Sequence, residues 1–291
     1  MSLCTLCPRG CAVDREKAEG FCSCRSELLV ARAAPHMWEE PCLSGTRGSG
    51  AVFFSGCSLK CIFCQNMEIS RGKKGAAVTP AQLAELMRRL EDAGVHNINF
   101  VTGTHFIPGI LKALEIYRPA VPLLWNSGGY EEVSTLKMLD GVIDIYLPDL
   151  KHISPRLSKL CCAAPDYAEK AVPAIVEMTR QTGLPVYDEN GILKKGTLIR
   201  HLVLPGCTSD SVKVLQTIAE RFPGFPVSLM RQYTPPEGVA LPRPLDRRLT
   251  EEEYSRVLEC FNALGLSGYC QDAESAQSAY TPPFDLTGVI D

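Results

Sequence analysis

Three cysteines in one short loop, Cys57, Cys61 and Cys64, are the residues whose type and spacing predict chemistry most clearly. They follow the apolar residues 51–54 in a C-x3-C-x2-C pattern, and such an apolar run predicts a buried strand. A structural zinc site needs four protein ligands, and iron–sulfur clusters are normally held by four thiolates. A [4Fe–4S] cluster held by only three cysteines would have one iron open to a further ligand, and a catalytic zinc would hold three ligands and a water. A zinc loop and unbonded buried thiols are the alternatives.

A second group of cysteines lies near the amino terminus. Five of the 14 cysteines fall within the first 24 residues, where apolar periodicity is weak and a bound metal would have to stabilise the fold. The C-x2-C-x3-C spacing fits a structural zinc and a second iron–sulfur cluster equally well, and free thiols are the third possibility. The natural ligand set is Cys4, Cys7, Cys11 and Cys22, with Cys24 as a spare.

The composition predicts a globular protein in a reducing compartment. The chain has 291 residues, of which 45% are apolar and 22% charged, and its formal net charge is -3. These values are ordinary for globular domains, and we expect neither a nucleic acid nor a membrane as a partner. The first residues lack the apolar core of a signal peptide, and no apolar run approaches membrane-spanning length. We therefore expect a cytoplasmic protein in which clustered cysteines bind metal.

Strand and helix patterns alternate from residue 51 onward. Strands are predicted at residues 51–54, 97–101, 121–125, 142–147, 197–204 and 225–230, and helices at 79–94, 108–117, 131–139, 155–182, 209–221 and 250–264. The fourth helix is expected to break near Pro165 and Pro173. Six βα units with short connections predict an α/β fold, a partial (β/α)6 TIM-like barrel. We assign residues 1–49 to a cysteine-rich metal module and connector, 50–265 to the barrel and 266–291 to a C-terminal tail.

Polar residues follow the second, third, fourth and sixth predicted strands at positions 102–105, 126–131, 148–152 and 230–233, and the fifth strand carries Arg200 and His201 and ends at 205–207. Because ligands bind at the carboxyl ends of the strands in parallel barrels, these segments are predicted to surround a ligand. Asp149 and Lys151 have a simpler interpretation as a local salt bridge. His105 is expected either to contact a substrate or to form hydrogen bonds in the core. Glu39 and Glu40, which precede the barrel, are interpreted as solvated carboxylates of a packed connector.

The cysteine motif and the later strand ends resemble those of the radical S-adenosylmethionine (SAM) superfamily. The resemblance covers about residues 50–265 and is strongest in the branch that includes the pyruvate formate-lyase activating enzymes. It rests on the three cysteines with Phe63, on the Asp-Leu-Lys sequence at 149–151, and on Arg200 with the Leu-Pro-Gly sequence at 204–206. In that family the open iron chelates SAM, and the [4Fe–4S] cluster reduces it to methionine and a 5′-deoxyadenosyl radical.

The resemblance also implies roles for individual residues. The Asp-Leu-Lys lysine and the fifth-strand arginine help to bind SAM in that family, so these roles pass to Lys151 and Arg200. Charge-assisted contacts of this kind are strong in a dry site. The backbone at Gly103 and Thr104 is expected to meet the SAM amine, and Asn126 and Ser127 the ribose. Further expected cofactor contacts are Phe63, Asp149, Leu202 and Tyr233, and His105 is the expected substrate contact.

Three features of the chain depart from the activating enzymes. Those enzymes usually have Gly-Gly-Glu-Pro after the second strand, whereas this chain has Gly-Thr-His-Phe at 103–106. A histidine often follows their sixth strand, whereas this chain has Tyr233. The third difference is the leading C-x2-C-P-R-x-C module. As a whole, the chain resembles an activating-enzyme-like subgroup that begins with such a module.

The resemblance implies an oxidoreductase that abstracts a hydrogen atom, with a flavodoxin or ferredoxin as its electron donor. The first expected target is a glycine of a glycyl radical enzyme. Radical modification of a small metabolite, a peptide or an RNA is the alternative, and a non-enzymatic, zinc-stapled binding module is the remote one. A tail that folds over the barrel opening, including residues 280–285, would restrict the substrate to a small molecule or a short peptide.

Overall fold

The alternating patterns of the sequence form a curved sheet with helices packed on its outer face. The computed structural model describes residues 3–271 and 281–290. Its strands are β1 (Leu28–His36), β2 (Ser49–Phe54), β3 (Ala76–Val78), β4 (Ile98–Val101), β5 (Leu123–Ser127), β6 (Ile145–Pro148), β7 (Val186–Tyr187), β8 (Leu193–Thr197), β9 (Ile199–Leu202), β10 (Val227–Met230) and β11 (Gly268–Cys270). Its helices are α1 (Pro41–Ser44), α2 (Met67–Ser70), α3 (Pro80–Asp92), α4 (Ile107–Ile116), α5 (Val133–Leu136), α6 (Pro155–Cys162), α7 (Tyr167–Thr182), α8 (Thr208–Arg221) and α9 (Glu251–Ala263). None of the helices in these two described ranges has the length and apolar character to cross a membrane.

Parallel pairing dominates the sheet. β2, β4, β5, β6 and β8 pair side by side in parallel, and β9, β10 and β11 form a second parallel set. A bridge between Asp149 and Arg200 joins the end of β6 to β9. Among the strands of the described residues, antiparallel pairs lie at the margins, where β1 pairs with β2 and β3 and β7 pairs with β8. The predicted α/β partial barrel is confirmed.

Helix caps account for two of the best-predicted boundaries. The Thr79 hydroxyl accepts a hydrogen bond from the Gln82 backbone, and Pro80 occupies the first turn of α3. Thr250 and Glu253 form the predicted capping box at the start of α9. Each box satisfies backbone N–H groups that have no partner within the helix, so a local sequence signal determines where these helices begin.

The long helix predicted at residues 155–182 is two helices. The predicted break near Pro165 is confirmed, because α6 ends at Cys162 and α7 begins at Tyr167. The predicted break at Pro173 is wrong, since this proline lies inside α7. A proline in the interior removes one hydrogen bond. The fully buried face of α7, which includes Ala174 and Met178, shows that packing against the sheet outweighs this loss.

Short strands are the elements that the sequence patterns missed. The strand predicted at 197–204 is divided between β8 and β9. The sequence places β1 in the predicted connector and β11 in the predicted tail, yet both strands pair with strands of the barrel. A strand of three residues such as β11 is too short to show periodicity, so its pairing with β10 determines its conformation. The domain boundaries at 49 and 265 remain a proposal.

The segment before β2 closes the amino-terminal end of the barrel. Leu43 of α1 is fully buried in a cluster with apolar side chains of β5, β6 and β8. Its carbonyl oxygen accepts a hydrogen bond of 2.9 Å from the Asn97 amide, just before β4 begins. α1 therefore forms a plug, and the two residues directly before it, Glu39 and Glu40, lie in the barrel interior.

Candidate active site

A cavity of about 680 Å³ lies at the carboxyl ends of the parallel strands. Its wall contains residues from the ends of β4, β5, β6, β9, β10 and β11 and from the loop after β2, as expected for a ligand site in a parallel barrel. Ten of the predicted site residues line it: Cys57, Cys61, Phe63, Cys64, Asn126, Ser127, Asp149, Lys151, Arg200 and Leu202.

The cysteine loop is held tightly against its surroundings. Gly56 opens the loop with a φ of +83°, and a Cβ there would lie 2.4 Å from the Cys24 sulfur. Only glycine fits this position, because it allows both the left-handed backbone and the close approach. The Ile62 N–H donates to the Cys161 carbonyl at 2.9 Å, which anchors the loop to the end of α6. These constraints orient the three thiols toward one cavity.

The three loop thiols fit a cluster better than a single ion. No group of three His, Cys, Asp or Glu side chains within 3–271 and 281–290 converges closely enough to hold one metal ion. Cys57, Cys61 and Cys64 instead all line the same cavity, and an iron–sulfur core is larger than a single ion. Burial raises the pKa of Cys57 to about 12 and also raises that of Cys64. A metal that binds here must therefore displace thiol protons.

Asp149 is the centre of an ion-pair network on the cavity wall. It accepts hydrogen bonds from the Lys151 ammonium and, at 2.9 Å, from the Arg200 Nε. Burial would raise the Asp149 pKa, but the two cations hold it below its usual value. Arg200 also donates to the Asn126 side chain at 2.6 Å. Because an ammonium has three N–H donors, Lys151 can donate one hydrogen bond to Asp149 and another to an anionic ligand.

Glu39 and Glu40 form the floor of the cavity, and the prediction that they are solvated is wrong. Both line the cavity because α1 plugs the barrel below them. Glu39 accepts hydrogen bonds from Asn99 at 2.9 Å and Asn126 at 3.1 Å. Glu40 is only 9% exposed, and its Oε2 has no hydrogen-bond partner among the described residues. Burial raises the Glu40 pKa. The sequence feature that indicates this position in the cavity is the pair of acidic residues directly before Pro41.

Four predicted contacts do not reach the cavity: Gly103, Thr104, His105 and Tyr233. The backbone turns at Thr102, whose φ is +61°, and this residue lines the cavity in their place. Thr104 points away and donates to Glu131 at 2.7 Å, and the His105 ring bonds the Ser55 carbonyl at 2.8 Å in the core. Tyr233 donates to the Leu245 carbonyl; its ring packs 6.2 Å from that of Phe63 and supports the cavity from behind.

The amino-terminal module packs against the cysteine loop through Arg9. The Arg9 guanidinium donates to the Ser58 carbonyl at 2.7 Å and to the Ala163 carbonyl at 2.6 Å, and it stacks on Phe21 at 3.9 Å. The arginine of the C-x2-C-P-R-x-C motif therefore joins the module, the loop and the end of α6. The role of the thiols of Cys4, Cys7, Cys11 and Cys22 as a second metal site remains a prediction.

A buried histidine beside the site is expected to make stability depend on pH. The His152 Nδ1 lies 3.0 Å from an Asp210 carboxylate oxygen. Burial lowers the His152 pKa, but the hydrogen bonds to Asp210 and Cys161 outweigh it and raise the pKa to about 9. Because the His152 pKa is higher in the folded protein than its ordinary value of about 6.5, protonation of His152 stabilises the fold. This stabilisation is fully present below about pH 6.5. This contribution, about 3 kcal/mol, is lost as the pH rises through about 9.

Urea unfolding across this pH range measures the effect, with Asp210→Asn as the matched variant. The difference in unfolding free energy between the wild type and Asp210→Asn should shrink as the pH rises. Taking this difference separates His152 from the buried thiols, which also titrate at high pH. A difference that stays constant from pH 6 to pH 10, to within about 0.5 kcal/mol, would contradict the assignment.

Comparison with protein families gives one match over most of the barrel. The model of the Radical SAM superfamily matches residues 51–218. An uncharacterized protein of Methanocaldococcus jannaschii is 31% identical in a match of 272 residues, and the match covers 88% of this chain and 73% of that protein. The matched family region contains the cysteine loop, the Asp149 network and Arg200.

Solved structures show the same fold at low sequence identity. SuiB of Streptococcus suis aligns with a TM-score of 0.51 and 16% identity, over 75% of this chain and 47% of that structure. The structure described as native anSMEcpe with bound AdoMet aligns with a TM-score of 0.52 and 15% identity, over 75% of this chain and 61% of its own length. The chain thus spans about half to three fifths of these structures, and the likeness concerns the fold alone.

Proposed function

Since this chain belongs to the radical SAM superfamily, we propose that it abstracts a hydrogen atom from a small molecule or short peptide that enters the barrel. Membership in the superfamily implies a [4Fe–4S] cluster and SAM as cofactors. The observation that carries the proposal is the single cavity in which the three loop cysteines, Asn126, Lys151 and Arg200 meet. A flavodoxin or ferredoxin is the proposed electron donor.

Different residues of the cavity bind different parts of the two cofactors. Cys57, Cys61 and Cys64 would hold the cluster, which would supply the electron that cleaves SAM to the 5′-deoxyadenosyl radical. Lys151 would bind the SAM carboxylate through an ammonium N–H that does not donate to Asp149. Arg200 holds Asp149 and Asn126 in place, and Asn126 and Ser127 are the residues that would bind the ribose. Phe63 and Leu202 provide apolar wall and exclude water.

The C-terminal segment limits the size of the proposed substrate. Thr281 and Pro282 line the cavity, and the residues after them are anchored on β1 and β2. The Phe284 ring packs 5.4 Å from that of Phe53, and the Leu286 N–H donates to the Ala31 carbonyl at 3.1 Å. A wall anchored in this way favours a small molecule or short peptide over a loop of a folded partner protein.

The floor of the cavity favours a substrate with an N–H donor. Asp149 and Glu39 are paired with the two cations of the wall, Lys151 and Arg200. Glu40 is left over, buried beside them with one oxygen atom unpartnered. A buried polar atom without a partner is costly, and an amine, amide or guanidinium group of the substrate would satisfy it. We therefore propose that the amino-bearing end of the substrate binds at Glu40.

The test is reductive incubation of the anaerobically reconstituted protein with SAM, scored as 5′-deoxyadenosine. The reaction is run with SAM alone, with pools of amines, amino acids and short peptides, and with pyruvate formate-lyase as a glycyl radical partner. Stimulation by a nitrogen-containing pool, and loss of that stimulation in Glu40→Leu with unchanged basal cleavage, supports the proposal. A glycyl radical signal in electron paramagnetic resonance would instead assign the chain to the activating enzymes. Zinc without iron in the purified protein, and no SAM cleavage, would overturn radical chemistry altogether.

A further inference from the structure

We propose that Cys162 and Ser70 are positioning residues that make the cluster easier to reduce by donating hydrogen bonds to its cysteine ligands. This inference rests on the proposed function, because it assumes that Cys61 and Cys64 are ligands of the cluster. Hydrogen bonds to the sulfur atoms are among the factors that set the reduction potential of iron–sulfur clusters.

Cys162 provides the first of these contacts. Its sulfur lies 3.5 Å from the sulfur of Cys61, and its side chain is completely buried at the end of α6. A cysteine that binds a metal is deprotonated, so a ligating Cys61 has no proton to share. The proton between the two sulfurs must then belong to Cys162, which acts as the donor.

Ser70 provides an equivalent contact at a second sulfur. Its hydroxyl lies 3.5 Å from the sulfur of Cys64, at the last residue of α2, and the residue is 7% exposed. The third sulfur, of Cys57, accepts a hydrogen bond from the Leu59 backbone N–H at 3.3 Å. Each of the three loop sulfurs thus has at least one donor, and two of these donors are side chains that can be replaced.

The position of Cys162 is fixed by backbone contacts on both sides. The Cys161 carbonyl accepts the Ile62 N–H at 2.9 Å, and the Cys162 carbonyl accepts the Arg9 Nη2 at 3.2 Å. Because Arg9 also binds the Ser58 carbonyl, it fastens the end of α6 to the cysteine loop. The contact between the two sulfurs is therefore part of a rigid frame to which the amino-terminal module contributes.

The direction of the effect follows from electrostatics. Reduction adds one negative charge to the cluster and its thiolates. A donor directs the positive end of its dipole at the sulfur, which stabilises the reduced state more than the oxidised one. The buried surroundings strengthen this interaction, since they screen it less than water does. Loss of a donor should thus shift the midpoint potential to a more negative value.

The experiment is a redox titration of the reconstituted full-length protein without SAM, followed by electron paramagnetic resonance. The variants are Cys162→Ala and Ser70→Ala, which remove a donor, and Cys162→Ser, which keeps one. Both alanine variants should have a more negative midpoint potential than the wild type, whereas Cys162→Ser should remain near the wild-type value. Cys260→Ala, a cysteine of α9 away from the cavity, is the control and should not shift.

The outcomes separate this inference from the proposed function. A wild type with cluster and SAM cleavage but unchanged potentials in both alanine variants would overturn the inference alone. An equal shift in Cys162→Ser and Cys162→Ala would indicate packing rather than hydrogen bonding and would also overturn it. Loss of iron from a folded Cys162→Ala protein would make Cys162 a ligand, contrary to the proposal. If Cys162→Ala does not fold, Ser70→Ala decides the question at the second sulfur.

Discussion

Replacement of Cys57 by alanine is expected to remove the iron and sulfide of the loop cluster after anaerobic reconstitution, leaving only what a second site at the amino-terminal cysteines would hold. Cys57 is one of three thiols around the cavity, so its loss leaves two, too few to hold a [4Fe–4S] cluster. Loss of a partner that only supports a metal ligand costs about 10- to 100-fold, and loss of the ligand itself should lower reductive SAM cleavage by more than about 100-fold. Iron and sulfide assays, the visible absorption spectrum and 5′-deoxyadenosine formation measure the effect.

Cys57 is a sharper test than Cys61, because Cys162 lies beside Cys61 and could replace it as a ligand. The control is Cys260→Ala, which removes a half-buried cysteine on α9 and should keep full iron content. If Cys57→Ala retained the iron content and the SAM cleavage of the wild type, Cys57 would not be a ligand of the cluster.

Replacement of Lys151 by glutamine is expected to weaken SAM binding by about 10- to 100-fold while the cluster is retained. The Lys151 ammonium lies on the cavity wall beside Asp149. A hydrogen bond to a charged group contributes about 1.5–3 kcal/mol, which corresponds to roughly this change in affinity. Equilibrium dialysis of the oxidised, reconstituted protein against labelled SAM measures it without turnover.

The matched control is Lys170→Gln on the surface. Lys170 pairs with Glu132 at 2.9 Å where both side chains are partly exposed, and such pairs contribute little. Its SAM affinity should equal that of the wild type. Should Lys151→Gln bind SAM as tightly as the wild type, Lys151 would serve only as the salt-bridge partner of Asp149.

Local signals in the sequence predicted most of the barrel and ten of the residues that line the cavity. The three cysteines are four and three residues apart, so their position in one loop can be predicted without knowledge of the fold. The apolar strands and the Thr250–Glu253 cap are equally local. Asn126, Asp149 and Arg200 were found because strand ends converge in any parallel barrel, a rule that applies once the strands are known.

The same rule failed where the backbone leaves a strand in an unusual way. At Thr102 the positive φ turns the following residues inward, so Thr104 and His105 join the core. Residue type and position after a strand contain no information about this turn. Tyr233 failed for a different reason: its hydroxyl donates to the Leu245 carbonyl, a contact that depends on how the loop after β10 folds.

The sequence by itself determined the chemistry of the site, since cysteine spacing, strand periodicity and helix caps act over a few residues. Only the tertiary structure decided what surrounds that chemistry. Glu40 became part of the cavity floor because α1 plugs the barrel, Cys162 came within 3.5 Å of Cys61 across 101 residues of sequence, and Arg9 reached the cysteine loop from the amino-terminal module. Such contacts depend on how separate elements pack, and packing depends on the whole chain at once.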